Sequence, residues 1–126
     1  MDSRELLADL KRAVDQFGGA LELPSDTDVV KAGCIQYFEF SFELAWKTIK
    51  RFAEDEGFAD CNSPKSALKV AFVNRWIETE NVWLDMLMSR NKMSHTYDAA
   101  SALEVYGRLN DYLIALRELV DALSRL

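Results

Sequence analysis

The chain has 126 residues, of which 49% are hydrophobic and 29% charged, and a net charge of −6. That size and composition fit one globular domain, 1–126, able to bury a core without disulfides or a structural metal. The acidic balance excludes a protein that binds nucleic acid over its whole surface, and five Gly and two Pro are too few for the turns of an all-β fold.

Five helical segments are predicted in chain order. The first runs from about Ser3 to Gly18. Asp2 and Glu5 stand at capping-box spacing, and Leu7, Leu10, Val14 and Phe17 mark one helical face. Gly18-Gly19 reads as its stop. The second begins after Pro24, with Ser25 and Asp28 at capping-box spacing and Gly33 inside, and meets no strong break before Gly57. Ile35, Phe38, Phe42, Ala45, Ile49 and Phe52 repeat at threes and fours along a helix about 43 Å long. A strand competes for this stretch, because Phe38, Phe40, Phe42, Leu44 and Trp46 also alternate. Helix is preferred, since no turn residues bound the run and the three-four pattern outlasts it. Apolar residues on more than one face then place this helix at the centre of a bundle or in a dimer.

Ser63 and Pro64 suit the N-cap and first position of a third helix, reaching about Asn74. A fourth starts near Thr79 or Glu80, carries Val82, Leu84, Met86, Leu87 and Met88, and ends between Asn91 and Ser94. The fifth follows Asp98. Ala99, Ala102, Tyr106, Leu109, Leu113, Leu116, Val120 and Leu123 keep strict register along it, with Gly107 inside. The expected fold is all-α: an antiparallel up-and-down bundle of four long helices plus a short one, homodimeric through the second helix.

No uninterrupted apolar run approaches membrane-spanning length, and Met1-Asp2-Ser3-Arg4-Glu5 has no signal-peptide character, so the expected location is cytoplasmic. Cys34 and Cys61 read as reduced thiols. One His and two separated Cys do not make the usual zinc site, and no metal or cofactor is expected.

The chemically informative stretch is Ser89-Arg90-Asn91-Lys92-Met93-Ser94-His95-Thr96-Tyr97-Asp98, which holds the only histidine. Arginine can clamp a phosphate bidentately, and histidine can move a proton near neutral pH. Beside a phosphodiester with its 2′-hydroxyl, those two suffice for metal-free RNA cleavage: His95 takes the hydroxyl proton and Arg90 steadies phosphate charge. On one ideal helix, however, Arg90 and His95 stand about 140° apart. Two remedies are expected together: the helix ends before His95, and a symmetry-related chain completes the site. The plainer reading is a polar helix end, with Arg90 paired to an acid and His95 capping carbonyls.

Elsewhere, Glu43 and Lys47 are spaced for a surface ion pair. Lys47, Lys50 and Arg51 form a basic cluster that could guide RNA if it lies near Arg90 and Lys92. Trp46, Trp76 and Trp83 read as core rather than base-stacking groups. Glu54, Asp55 and Glu56 fall at a helix C-terminus, where the dipole disfavours them.

Arg90 through Tyr97 resembles the R-x4-H-x-Y signature of HepT-like HEPN proteins. Phe42-Glu43-Leu44-Ala45-Trp46-Lys47 resembles the FELAWK-type segment of the nucleotidyltransferase substrate-binding protein family, as do Ser63-Pro64 and Trp83-Leu84-Asp85-Met86-Leu87. The resemblance covers roughly residues 5 to 125. It implies a homodimeric helical bundle acting with a small nucleotidyltransferase encoded nearby, in a toxin–antitoxin arrangement. It further implies a metal-independent endoribonuclease with Arg90 and His95 catalytic, Asn91 auxiliary, and Tyr97 the acceptor of AMP; Lys92 and Lys47, on their charge, are the expected substrate-binding residues. The alternative it carries is a non-catalytic subunit that holds a nucleotide or other substrate for the nucleotidyltransferase.

Overall fold

Helix signals in this chain are mostly local, and most are realised at their predicted places. The computed structural model describes residues 1–58, 61–95 and 98–126, and of Ser94 and His95 the backbone alone. Six α-helices and no strand occur among the described residues: α1 Ser3–Leu21, α2 Asp28–Asp55, α3 Pro64–Val73, α4 Glu80–His95, α5 Ala99–Tyr106 and α6 Leu109–Ser124.

Capping chemistry fixes most of the starts. The Asp2 carboxylate accepts from the Glu5 N–H at 2.8 Å. Ser63 and Ser66 form a reciprocal capping box ahead of Pro64, and Asp98 accepts from the Ala100 N–H at 3.1 Å. The second start differs from expectation. Thr27, in extended conformation, accepts from the Val30 N–H at 3.2 Å, so Ser25 is not the cap.

Two further boundaries are corrected. Helix α1 passes through Gly18-Gly19 and ends at Leu21. Gly18 is buried against α6 beside the end of the flexible Arg117 side chain, and it lies inside the helix without stopping it. The predicted fifth helix is two, giving four long helices and two short ones among the described residues. At Gly107-Arg108 the Arg108 N–H bonds to the Val105 carbonyl, three residues back, and the ladder is interrupted. Both residues stay in the right-handed helical region, so the apolar register crosses the break: Ala102, Leu109, Leu113, Leu116, Val120 and Leu123 are all buried. Gly107→Ala is expected to raise stability by about 0.4–1 kcal/mol in thermal melting, because its φ of −63° suits alanine and an added Cβ would be at least 3.5 Å from its neighbours. A lowered melting temperature would contradict this.

Helix α2 is the axis of the fold and packs against each of the other five helices. This resolves the strand alternative and accounts for its two apolar faces. Ile35, Phe38, Phe42, Ala45, Ile49 and Phe52 are buried, while Tyr37, Leu44 and Trp46 pack at the core's edge. Phe40 alone of the alternating aromatics is substantially exposed, at 52%. Gly57, at φ +84°, turns the chain away after α2, a conformation that costs glycine little. Cys34 and Cys61 are free thiols, and burial pushes both upward from the ordinary thiol pKa. No helix among the described residues is long and apolar enough to cross a membrane.

Candidate functional site

Helix α4 carries the informative stretch as far as His95, and its two long sides are bonded to different parts of the molecule. Toward α2, Arg90 Nε donates to Glu43 Oε1 at 2.7 Å. The other carboxylate oxygen, Glu43 Oε2, accepts from Trp46 Nε1 at 3.0 Å. Arg90 Nη1 also donates to Asn91 Oδ1 at 3.1 Å. The pair is about two-thirds buried, with side-chain exposures of 31% and 33%. The plain expectation that Arg90 pairs with an acid is therefore met. The expected Glu43–Lys47 pair is not among the ion pairs of the described residues, because both Glu43 oxygens are taken by Arg90 and Trp46.

Beside Arg90 lies an open groove of about 460 Å³, lined by Gln36, Glu39, Phe40, Glu43, Arg90 and Met93. Glu39 stands one helical turn before Glu43 on the same face of α2. Partial burial, and then the neighbouring Glu43 carboxylate, push the Glu39 carboxyl above its ordinary pKa, against the pull of Arg90. A second groove of about 480 Å³ continues between α1 and α2, sharing Phe40 and Glu43 with the first and lined further along by Arg12, Tyr37 and Lys47. Lys47 is exposed there, so it and Arg90 border adjoining grooves. Arg51, by contrast, pairs with Glu54 at 3.4 Å and Asp55 at 3.7 Å. That pairing explains how acids are tolerated at the α2 C-terminus and removes Arg51 from the free basic cluster.

On its other side, α4 meets α5 and α6 through a polar ladder that the sequence did not reveal. The buried Tyr112 hydroxyl donates to Asp85 Oδ2 at 2.5 Å and accepts from Ser89 Oγ at 2.8 Å. Arg108 Nη1 lies 3.1 Å and 3.3 Å from the two Asp85 oxygens. Lys92 pairs with Glu104 at 3.4 Å, and Glu104 with Arg108 at 3.5 Å. Asp85, Ser89 and Lys92 fall at i, i+4 and i+7, so one stripe of α4 is clamped along its length. The only signal in sequence was that spacing, whose partners on α5 and α6 depend on packing.

Burial first, and the Asp85 bond second, push the Tyr112 phenol up to about 12. Its folded pKa exceeds the ordinary value of about 10, so its contribution to stability is complete below pH 10 and declines as pH rises toward 12. In a spectrophotometric alkaline titration of the folded protein, one tyrosine should therefore ionise late, and Tyr112→Phe should remove that late step. Titration of all tyrosines together near pH 10 would contradict the buried network.

The helix does not end before His95: α4 runs through His95, there being no Gly or Pro from Asn91 to His95 to stop it. Arg90 and His95 are thus five positions apart on one helix, about 140° around its axis. The His95 side chain and the whole of Tyr97 lie outside the described residues. Asn91 and Lys92 are exposed and border a groove of about 380 Å³ between α4 and α5. Among the described residues no cluster of three or more His, Cys, Asp or Glu is arranged to hold a metal ion.

Helix α4 thus carries an arginine held by Glu43 of α2 and ends on the chain's histidine. The chain belongs to the nucleotidyltransferase substrate binding protein like family, whose sequence model matches residues 5–125. It is 33% identical over 102 residues to a Haemophilus influenzae protein described as a probable ribonuclease HepT, an alignment covering 78% of this chain and 70% of that one. A crystal structure of a protein from Thermus thermophilus superposes with a TM-score of 0.74 at 27% identity, covering 96% of this chain and 98% of the other. A Haemophilus influenzae structure, described as revealing the fold of a substrate binding domain of a nucleotidyltransferase, superposes with a TM-score of 0.70 at 29% identity, covering 97% and 96%.

Proposed function

We propose that this protein is a metal-independent endoribonuclease of the HepT type, working as an antiparallel-bundle homodimer with a small nucleotidyltransferase as partner. The observation that carries this reading is the Arg90–Glu43 bond at 2.7 Å, which joins across α2 and α4 the two segments on which the resemblance rests. Glu43 holds Arg90 at the edge of an open groove, and the remaining guanidinium N–H groups suit a phosphate. In this reading Arg90 steadies charge on the phosphodiester, His95 takes the 2′-hydroxyl proton, and Asn91 assists Arg90. Lys47 borders the groove adjoining that of Arg90, Lys92 borders the groove on the other side of α4, and both attract the RNA backbone.

The 140° separation on α4 argues that two chains complete the site. Exposed Phe40, on the rim of both α2 grooves, gives the second chain an apolar contact. Light scattering should return twice the 14.4 kDa chain mass at micromolar concentration; a monomer would sink the shared site. Tyr97, two residues beyond His95, is the proposed acceptor of AMP from the partner, which would add charge beside the motif and silence it. The nuclease reading is tested by incubating the purified protein with cellular RNA in EDTA. Cleavage is expected, and intact RNA would overturn it.

A second reading is favoured by the family description and by the superposing structure described as a substrate binding domain of a nucleotidyltransferase. There the protein holds a nucleotide or acceptor for a partner enzyme and cuts nothing. Stable co-purification with the nucleotidyltransferase, together with intact RNA in the EDTA assay, would select it.

A further inference from the structure

Cleavage of RNA through its 2′-oxygen needs two proton transfers. One group must take the 2′-hydroxyl proton, and another must supply a proton to the departing 5′-oxygen. The proposed function assigns the first to His95 and leaves the second unassigned. Arginine does not release its proton at ordinary pH, so Arg90 is not the donor.

The groove beside Arg90 contains two carboxyl groups, and they are not equivalent. Glu43 is committed through both oxygens, to Arg90 and to Trp46. Glu39 lines the same groove, is half-buried, and has no hydrogen-bond partner among the described residues. The charged groups facing it are Glu43 from its own helix and Arg90 from α4. When a phosphodiester docks on Arg90, its negative charge joins those of Glu39 and Glu43 and offsets the cation. Three anions around one guanidinium are unfavourable, and a proton on the uncommitted carboxyl relieves the repulsion. Its pKa is already displaced upward before any substrate arrives.

We infer that Glu39 is the general acid of the reaction, donating its proton to the 5′-oxygen of the scissile phosphodiester held by Arg90. The inference rests on the ribonuclease reading. The 2′-oxygen–phosphorus bond forms, the phosphorus–5′-oxygen bond breaks, His95 gains the hydroxyl proton, and Glu39 loses one to the leaving group. The products are a 2′,3′-cyclic phosphate and a 5′-hydroxyl end. Solvent then restores both side chains, with no metal, oxidant or co-reactant.

The test compares two RNA oligonucleotides of one sequence, cut by the parent protein at one mapped position. One is all-oxygen; the other carries sulfur in place of the bridging 5′-oxygen at that position. A thiolate leaves without a proton, so it does not need the acid. Glu39→Gln should cut the all-oxygen RNA about 10²-fold or more slowly at saturating substrate, with KM little changed. It should cut the sulfur-bridged RNA within about twofold of the parent rate. Glu39→Asp, which keeps an acid on a shorter stem, should be intermediate on the first and parental on the second. It also provides the comparison if the Gln variant melts early. Equal losses on both oligonucleotides, or no loss on either, would overturn the role of Glu39 and leave the ribonuclease reading standing. A parent protein that cuts neither would overturn that reading, and this role with it.

Discussion

Replacing Arg90 by Ala is expected to lower RNA cleavage by at least about 10²-fold while leaving the thermal transition nearly in place. Loss of a preorganised donor to a transition-state oxyanion typically has an effect of that size. The stability cost is small because the Arg90–Glu43 pair is about one-third exposed, where ion pairs contribute roughly 1 kcal/mol or less. Arg90→Lys keeps the charge but loses the planar fork that bonds Glu43 and Asn91 and that the proposed site uses to hold a phosphate, so it should recover only part of the rate. Paired measurements of single-turnover cleavage and melting temperature check this. An Arg90→Ala protein that cleaves at the parent rate would remove Arg90 from the site.

Trp83→Ala is expected to act in the opposite sense, through stability. Trp83 is 1% exposed, lies on α4, and packs its ring against Phe42 of α2 with centroids 6.4 Å apart. Truncating a buried tryptophan costs roughly 3–5 kcal/mol through lost transfer energy and the cavity left behind. In a chain of 126 residues that is a melting-temperature drop of roughly 10–20 °C. Scanning calorimetry would show it, and a drop of only a degree or two would mean that α4 does not depend on this contact. Cleavage by the folded fraction should survive better than in Arg90→Ala, since the tryptophan lies almost two turns before the arginine.

Those two residues mark what was legible in the sequence. The helices were, because caps such as Ser63-Pro64 and Asp98 and the spacing of Phe38, Phe42, Ala45 and Ile49 act over a few residues. The strand-like alternation around Phe40 was resolved by the length of the three-four pattern, and the structure gives the reason for both: α2 is surrounded. The break at Gly107 was hidden because it preserves the helical sense, so the apolar register of α5 and α6 reads as continuous. Paired glycines read as a stop to α1, whereas the helix continues through both to Leu21.

The site was legible as residue types and not as partners. Arg90 and Glu43 stood in separate recognised segments, but their bond spans 47 positions and depends on how α2 and α4 pack. A local rule pointed Glu43 to Lys47 instead. The Asp85–Ser89–Tyr112 cluster was missed for the same reason: Tyr112 lies off the strict seam of Leu109, Leu113 and Leu116, yet is equally buried. Glu39 looked like the polar half of an alternating pattern, and its position beside Arg90 emerges only from the groove they share.

If His95 and Arg90 make this chain a metal-free ribonuclease, removing the histidine alone should silence it. The decisive experiment is a defined RNA in EDTA, incubated with the parent protein and with His95→Ala purified in parallel, with the new ends identified by mass spectrometry. Expected are 2′,3′-cyclic phosphate ends from the parent and intact RNA with the variant. Equal cleavage by both would contradict this, by assigning the activity to something other than His95.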